Sequence, residues 1–160
     1  MDINEVLSLL ASGDISVEEA RDRLSLVGIA PVADFARLDI GRHGRKGVPE
    51  IIYAPGKSPD QLVEICGELL KQTGRAVACG MDESQWQALE NRFSGEIRVA
   101  NKDARTAVLS KDGRRPRPGG GRIGILTAGT ADIPVAEQAR IMAEEMGVEA
   151  IPAYDVGVAG

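Results

Sequence analysis

The 160-residue chain predicts an α/β protein: a small N-terminal α/β domain led by two helices, a short basic linker, and then a βαβ unit. Three observations carry that expectation. Apolar residues alternate between short runs of strand length and longer stretches at helical spacing, the pattern of an α/β layer. Nineteen glycines against two Phe, two Tyr and one Trp favour turns and backbone-lined sites over an aromatic core. A composition 43% hydrophobic and 27% charged is that of a globular chain, and it excludes disorder, collagen and coiled coil.

Residues 3–11 and 16–26 read as amphipathic helices. The second opens on a capping box, with Ser16 accepting from the Glu19 N–H and the Glu19 carboxylate reaching back. Ala30-Pro31-Val32 breaks the helical pattern, and 35–40 and 50–54 read as strands. Between them Gly41-Arg42-His43-Gly44-Arg45-Lys46-Gly47-Val48-Pro49 is a loop with three glycines and three permanent cations. Ser58-Pro59 starts a helix that buries Leu62, Ile65, Cys66, Leu69 and Leu70 and ends at Gly74. A strand at 75–79, a helix at 82–93 and strands at 96–100 and 106–110 complete a domain placed at 1–112. Lys111 to Gly121 offers nothing to a core, so 113–121 is read as the linker. A buried parallel-type strand at 122–128, a helix at 132–146 with Pro134 in its first turn, and a strand at 148–154 make the βαβ unit, with Met142 and Met146 in its core. Residues 122–160 number 39, at the limit of about 40 below which domains rarely fold alone. Two strands and one helix leave a sheet face and both edges uncovered, so this second domain is expected to be incomplete or completed by another copy.

Charge is unevenly spread. The net charge is −5, and residues 1–36 hold only Arg21 and Arg23 against seven acids. Residues 37–57 and 98–122 hold five and eight of the nineteen cations. Apart from Tyr53 neither cluster contains an aromatic, so no stacking platform interleaves with the cations, and the overall charge repels a polyanion; a small anion is the expected partner and nucleic acid is not. A solvated loop and a basic linker remain the plainer alternatives. No apolar run approaches the roughly 18 residues of a membrane span, and no signal peptide is visible. Two cysteines in apolar surroundings read as free thiols of a cytoplasmic protein.

Two segments could carry chemistry. Thr127-Ala128-Gly129-Thr130-Ala131-Asp132 joins a strand to a helix. Small residues there let backbone N–H groups approach an anion, the helix N-terminus adds positive potential, and Asp132 either caps the helix or accepts from a ribose hydroxyl. It is neither the dinucleotide glycine fingerprint nor a P-loop, and an ordinary capped turn explains it equally well. The second segment sets Arg42, Arg45 and Lys46 between Asp39 and Glu50, with Lys57 nearby in sequence. Arg grips carboxylates and phosphates in bidentate fashion, Lys supplies a point charge, and the acids orient the cations or serve as acid–base groups. His43, the only histidine, reads as exposed and idle in its glycine-rich loop; Cys66 and Cys79 read as structural, at a spacing that fits no zinc motif.

These segments also carry a resemblance. Leu38-Asp39-x-x-Arg42-x-x-Arg45-x-Gly47-x-Pro49-Glu50, Gly56-Lys57, the run from Leu126 to Pro134 and the run from Tyr154 to Gly160 resemble the LarB family of nickel-pincer cofactor biosynthesis proteins, over essentially all of the chain. The resemblance implies that 122–160 opens a doubly wound parallel-sheet domain like the aminoimidazole ribonucleotide carboxylases. It implies carboxylation of C5 of nicotinic acid adenine dinucleotide by carbon dioxide or bicarbonate, and hydrolysis of the phosphoanhydride to release AMP. Magnesium and a homo-oligomer, an octamer in the family, are implied with it. The substrate-binding set it points to is Asp39, Arg42, Arg45, Lys46, Glu50, Lys57, Thr127, Ala128, Gly129, Thr130 and Asp132. The purine enzymes read Gly-Ser-x-Ser-Asp where this chain has Ala128 to Asp132, so two phosphate-facing hydroxyls are missing and the purine substrate is the weaker alternative. The family also continues past the position of Gly160 with Ile-His-Arg and, later, its nucleophilic cysteine. Neither Cys66 nor Cys79 matches that cysteine, which leaves Asp132 as the one catalytic candidate and inactivity of this stretch alone as the expectation. A non-catalytic nucleotide-binding or assembly module is the third reading.

Overall fold

Ser16, Ser58 and Asp82 each present a side-chain oxygen to a backbone N–H three residues on, and each starts a helix. The computed structural model describes residues 3–42, 47–113 and 115–157, in two compact units, 1–50 and 51–160. In the first unit α1 (Ile3–Ser12) and α2 (Val17–Val27) pack together. Val6, Ile15 and Ala20 are buried there, with Leu9, Leu10 and Leu24 around them. The expected capping box at α2 is half formed. Ser16 accepts from the Glu19 N–H at 3.0 Å, but the Glu19 carboxylate takes Arg23 one turn on, at 2.6 Å, an ion pair in place of a bond to a backbone N–H. β1 (Ile29–Val32) and β2 (Ala36–Asp39) form an antiparallel ribbon with Ile29 opposite Asp39. The break read at Ala30-Pro31-Val32 is thus a strand, and it tolerates Pro31 because each strand of a two-stranded ribbon is an edge strand.

The second unit is built on a mixed sheet. β3 (Ile51–Tyr53), β4 (Arg75–Cys79), β5 (Ile97–Asn101) and β6 (Thr106–Ser110) lie in the order β3-β4-β6-β5. Only β3 and β4 are parallel. α3 (Pro59–Thr73) runs from a full Ser58–Gln61 capping box to Gly74 in the left-handed conformation, and it buries the five residues its spacing predicts. α4 (Glu83–Phe93) packs on α3 and buries Trp86, Leu89 and Phe93.

The βαβ unit follows as β7 (Arg122–Leu126), a short 3₁₀ turn (Thr130–Asp132), α5 (Ile133–Glu145) and β8 (Glu149–Ala153), with β7 and β8 parallel. Its helix is stitched onto the four-stranded sheet. Ile141 packs with Val77 and Val108, and Met142 joins them. Strand alternation puts Ala76, Ala78, Ala107 and Leu109 on the other face, which is left for α3. Glu145, with no exposed side-chain surface, accepts from Arg75 at 2.6 Å and from Arg98. Asn101 donates to Glu137 at 2.7 Å, and Gln138 donates to the Ala104 carbonyl at 2.7 Å. Residues 137–138, 141–142 and 145 are one helical stripe, so Met146 falls outside it and is exposed instead of core.

That stripe also explains why the division between compact units falls at residue 50 and not within 113–121. Most of 115–121 is exposed, yet it is tied down: the Gly119 N–H donates to the Gly147 carbonyl at 2.6 Å, and the Glu149 N–H to the Gly121 carbonyl at 2.9 Å. The approach is close enough to need glycine at position 147, whose φ is +77° and whose Cβ, if added, would lie 2.3 Å from the Arg117 carbonyl oxygen. On β7 and β8 the large side chains of Leu126 and Ile151 remain exposed, 70% and 52%. No helix among the described residues is long and apolar enough to cross a membrane.

Candidate functional site

Two parallel strands bring their following loops side by side, and this is where Thr127 to Asp132 lies. The loops are zipped by three bonds. The Asp155 N–H donates to Thr127 Oγ1 at 3.0 Å, the Val156 N–H to the Thr127 carbonyl at 3.0 Å, and the Gly157 N–H to the Ala128 carbonyl at 3.0 Å. Thr127 is buried and structural, its hydroxyl consumed inside the protein. Ala128, Thr130 and Asp132 are exposed, and a side chain added at Gly129 would meet nothing within 4 Å. Asp132 makes no capping bond, so of its two readings the helix cap is not realised. The outcome is a shallow shelf of backbone at the start of α5, with a carboxylate at its edge.

Where α5 meets the end of β5 and the end of β8 lies a polar cluster that sequence reasoning missed. Glu137, one turn into α5, accepts from Arg140, from Asn101 and from the Tyr154 hydroxyl. The Arg140 bond, helped by Tyr154 and Asn101, holds the Glu137 carboxyl below its ordinary range against the opposing effect of burial. Tyr154 moves upward, first by burial and then by facing that carboxylate. Asp155, next in the chain, takes a left-handed conformation at φ +54°. The signal available in the sequence was the run from Tyr154 to Gly160, which carried the resemblance without a role for any side chain.

In the first unit, Asp39 ends β2 and Arg42 follows, exposed and donating to Glu50 at 3.4 Å. Burial raises the Glu50 pKa, Arg42 opposes that shift, and the neighbouring Asp39 adds to it. Asp39, Arg42 and Glu50 therefore form one electrostatic cluster, while His43, Arg45 and Lys46 lie outside the described residues. Lys57 belongs to the second unit, where its Nζ donates to the Tyr53 carbonyl at 2.5 Å. Its turn is clamped from below by Gln85, a buried side chain not singled out in the sequence. Gln85 Nε2 donates to the Ala54 and Lys57 carbonyls at 2.9 and 2.6 Å, and its oxygen accepts from the Asp82 N–H.

Cys66 is buried and Cys79 half-buried, and both are free thiols. Burial pushes the Cys66 thiol up to about 12 and raises Cys79 as well, so neither forms a thiolate readily near neutral pH. Among the described residues no group of three His, Cys, Asp or Glu side chains is placed to hold a metal ion.

Comparison with known proteins adds a lineage. The family model of the LarB/PurE-like N-terminal domain matches residues 31–111. The chain is also 37% identical over 162 residues to uncharacterized protein MJ0165 of Methanocaldococcus jannaschii, an alignment covering 99% of this chain and 62% of that protein. The chain thus spans a little under two thirds of the length of the curated relative it matches.

Proposed function

The chain belongs to the LarB/PurE-like N-terminal domain family, and from that premise we propose that it binds and orients a pyridinium nucleotide for carboxylation. The family is enzymatic. The substrate in this reading is nicotinic acid adenine dinucleotide, carboxylated at C5, with water cleaving its phosphoanhydride to release AMP. A pyridinium ring is too electron-poor to attack carbon dioxide. A nucleophile must first add to the ring, which makes C5 enamine-like. C5 then bonds to the carbon of carbon dioxide and loses its proton, and expulsion of the nucleophile restores the aromatic ring. Neither cysteine of this chain suits the nucleophile's role, Cys66 least of all with a thiol near 12. What the chain contributes is binding.

The observation that carries the proposal is the pair of zipped loops after β7 and β8. Backbone N–H groups at the start of α5 suit a phosphate, and the proposed role of Asp132, which makes no capping bond, is to accept from a ribose hydroxyl. In the first unit Arg42 is the exposed signature cation whose proposed role is to grip an anionic group. The magnesium implied by the family finds no ligand set among the described residues, and the roles proposed for these side chains do not depend on it.

Calorimetry with nicotinic acid adenine dinucleotide and with aminoimidazole ribonucleotide tests the reading. The dinucleotide is expected to bind more tightly, and Asp132→Ala to weaken it by about tenfold while the melting temperature holds. Tighter binding of the purine precursor, or no effect of Asp132→Ala, overturns it. Arg42→Ala is expected to weaken binding without unfolding the protein, and unchanged affinity removes that residue from the proposal.

A further inference from the structure

β7 and β8 have a second end. At their amino termini, away from Thr127 by the length of a five-residue strand (about 15 Å), a cavity of about 470 Å³ opens between β5, the 115–121 segment and the turn into β8. Arg98, Arg115 and Arg122 line it, with Glu144, Glu149 and Pro118. Three guanidinium groups in one cavity repel one another unless something anionic is shared among them.

The fold neutralises them incompletely. Arg98 donates one nitrogen to Glu145, which Arg75 also claims, while the Arg98 Nε is buried without a hydrogen-bond partner. A buried N–H of a charged group left unpaired is costly and rare. Burial and then the neighbouring charges of Arg75 and Arg115 push the Arg98 pKa down. Arg115 is exposed and makes no ion pair among the described residues. Arg122 holds Glu149 at 2.8 Å in an exposed pair, the kind that exchanges readily for a better anion, and Glu144 is already taken by Arg140.

We propose that this cavity binds the phosphate group of a small phosphorylated molecule, at a site separate from the shelf at Thr127–Asp132. Guanidinium forks match phosphate oxygens in bidentate geometry, and the exposed backbone of Gly120 and Gly121 permits close approach. The volume falls within the range of small-molecule sites, which leaves room for more than the phosphate itself. Three of the eight cations at 98–122, which a plain linker would leave without purpose, gain one here.

The test is titration of the full chain with inorganic phosphate and with AMP, by calorimetry and by the NMR cross-peak of the Arg98 Nε–H. Both probes are expected to saturate and to move that cross-peak. Arg115→Gln, an exposed change that breaks no ion pair among the described residues, is expected to weaken binding by about tenfold at an unchanged melting temperature. Asp132→Ala is expected to leave the phosphate-induced movement of the Arg98 cross-peak unchanged. AMP binding tighter than phosphate assigns the site to an ester, and equal binding assigns it to the free ion; either upholds phosphate recognition. Failure to saturate by about 20 mM of either probe, or equal affinity in Arg115→Gln, overturns it.

Discussion

Glu137 shows how much one side chain can collect. It sits one turn into α5, and its carboxylate takes hydrogen bonds from Arg140, Asn101 and Tyr154, which come from its own helix, from β5 and from the end of β8. Those bonds favour the ionised form, so the folded-state pKa lies below the ordinary 4.5. A depressed carboxylate contributes stability that is complete above the unfolded value and is lost as pH falls through the folded one. The native protein should therefore lose melting temperature below about pH 4.5 more steeply than Glu137→Gln does. Parallel pH curves for the two proteins would show that the cluster adds nothing. None of this was legible in the sequence, where a helical Glu three residues from an Arg reads as a solvated pair and where Asn101 stands 36 positions away. Asp132 was legible as a candidate because a strand, small residues and a proline-started helix announce the loop locally, but whether it capped the helix was decided by the backbone of the 3₁₀ turn.

Elements follow the same division between local and distant causes. α3 and α4 were readable nearly to the residue, because a cap and an apolar stripe, and in α3 an N1 proline, lie within the segment they define. The order β3-β4-β6-β5 was not, since it depends on pairings between strands far apart in sequence. The glycine-rich 118–121 run looked like a plain linker for a related reason: its partner is the turn at Gly147, with Gly119 donating to the Gly147 carbonyl. Gly147→Ala tests that contact. The residue is at φ +77°, and the new Cβ would collide with the Arg117 carbonyl. We expect a loss of about 1–3 kcal/mol and faster hydrogen exchange at the Gly119 and Glu149 amides, with exchange in α3 unchanged. Unaltered protection at both amides would mean that the segment is not held at that turn.

At the scale of the whole molecule, the two compact units rest on very different cores. Residues 1–50 bury a cluster of Val6, Ile15 and Ala20 alongside a two-stranded ribbon. Residues 51–160 fully bury Leu62, Ile65, Leu69, Leu89, Leu109 and Ile141 around a four-stranded sheet. Surface-to-volume scaling penalises the smaller unit, and a two-stranded ribbon adds little of its own. The acidic stretch that fills most of it was visible in the sequence, but its boundary at residue 50 was not. The strand at 51–53 follows the signature segment without a compositional break, and only its parallel pairing with β4 assigns it to the second unit. Native-state hydrogen exchange at rising denaturant should therefore resolve two families of amides. Those of α1 and α2 are expected to open at lower free energy than those of α3, β4 and β6, because opening α1 and α2 exposes far less apolar surface. The slope with denaturant should be smaller for the first family in proportion to that surface. If all amides merged into one isotherm with one slope, the smaller core would have to draw its stability from the larger, and each unit's stability could not be reckoned from its own buried residues.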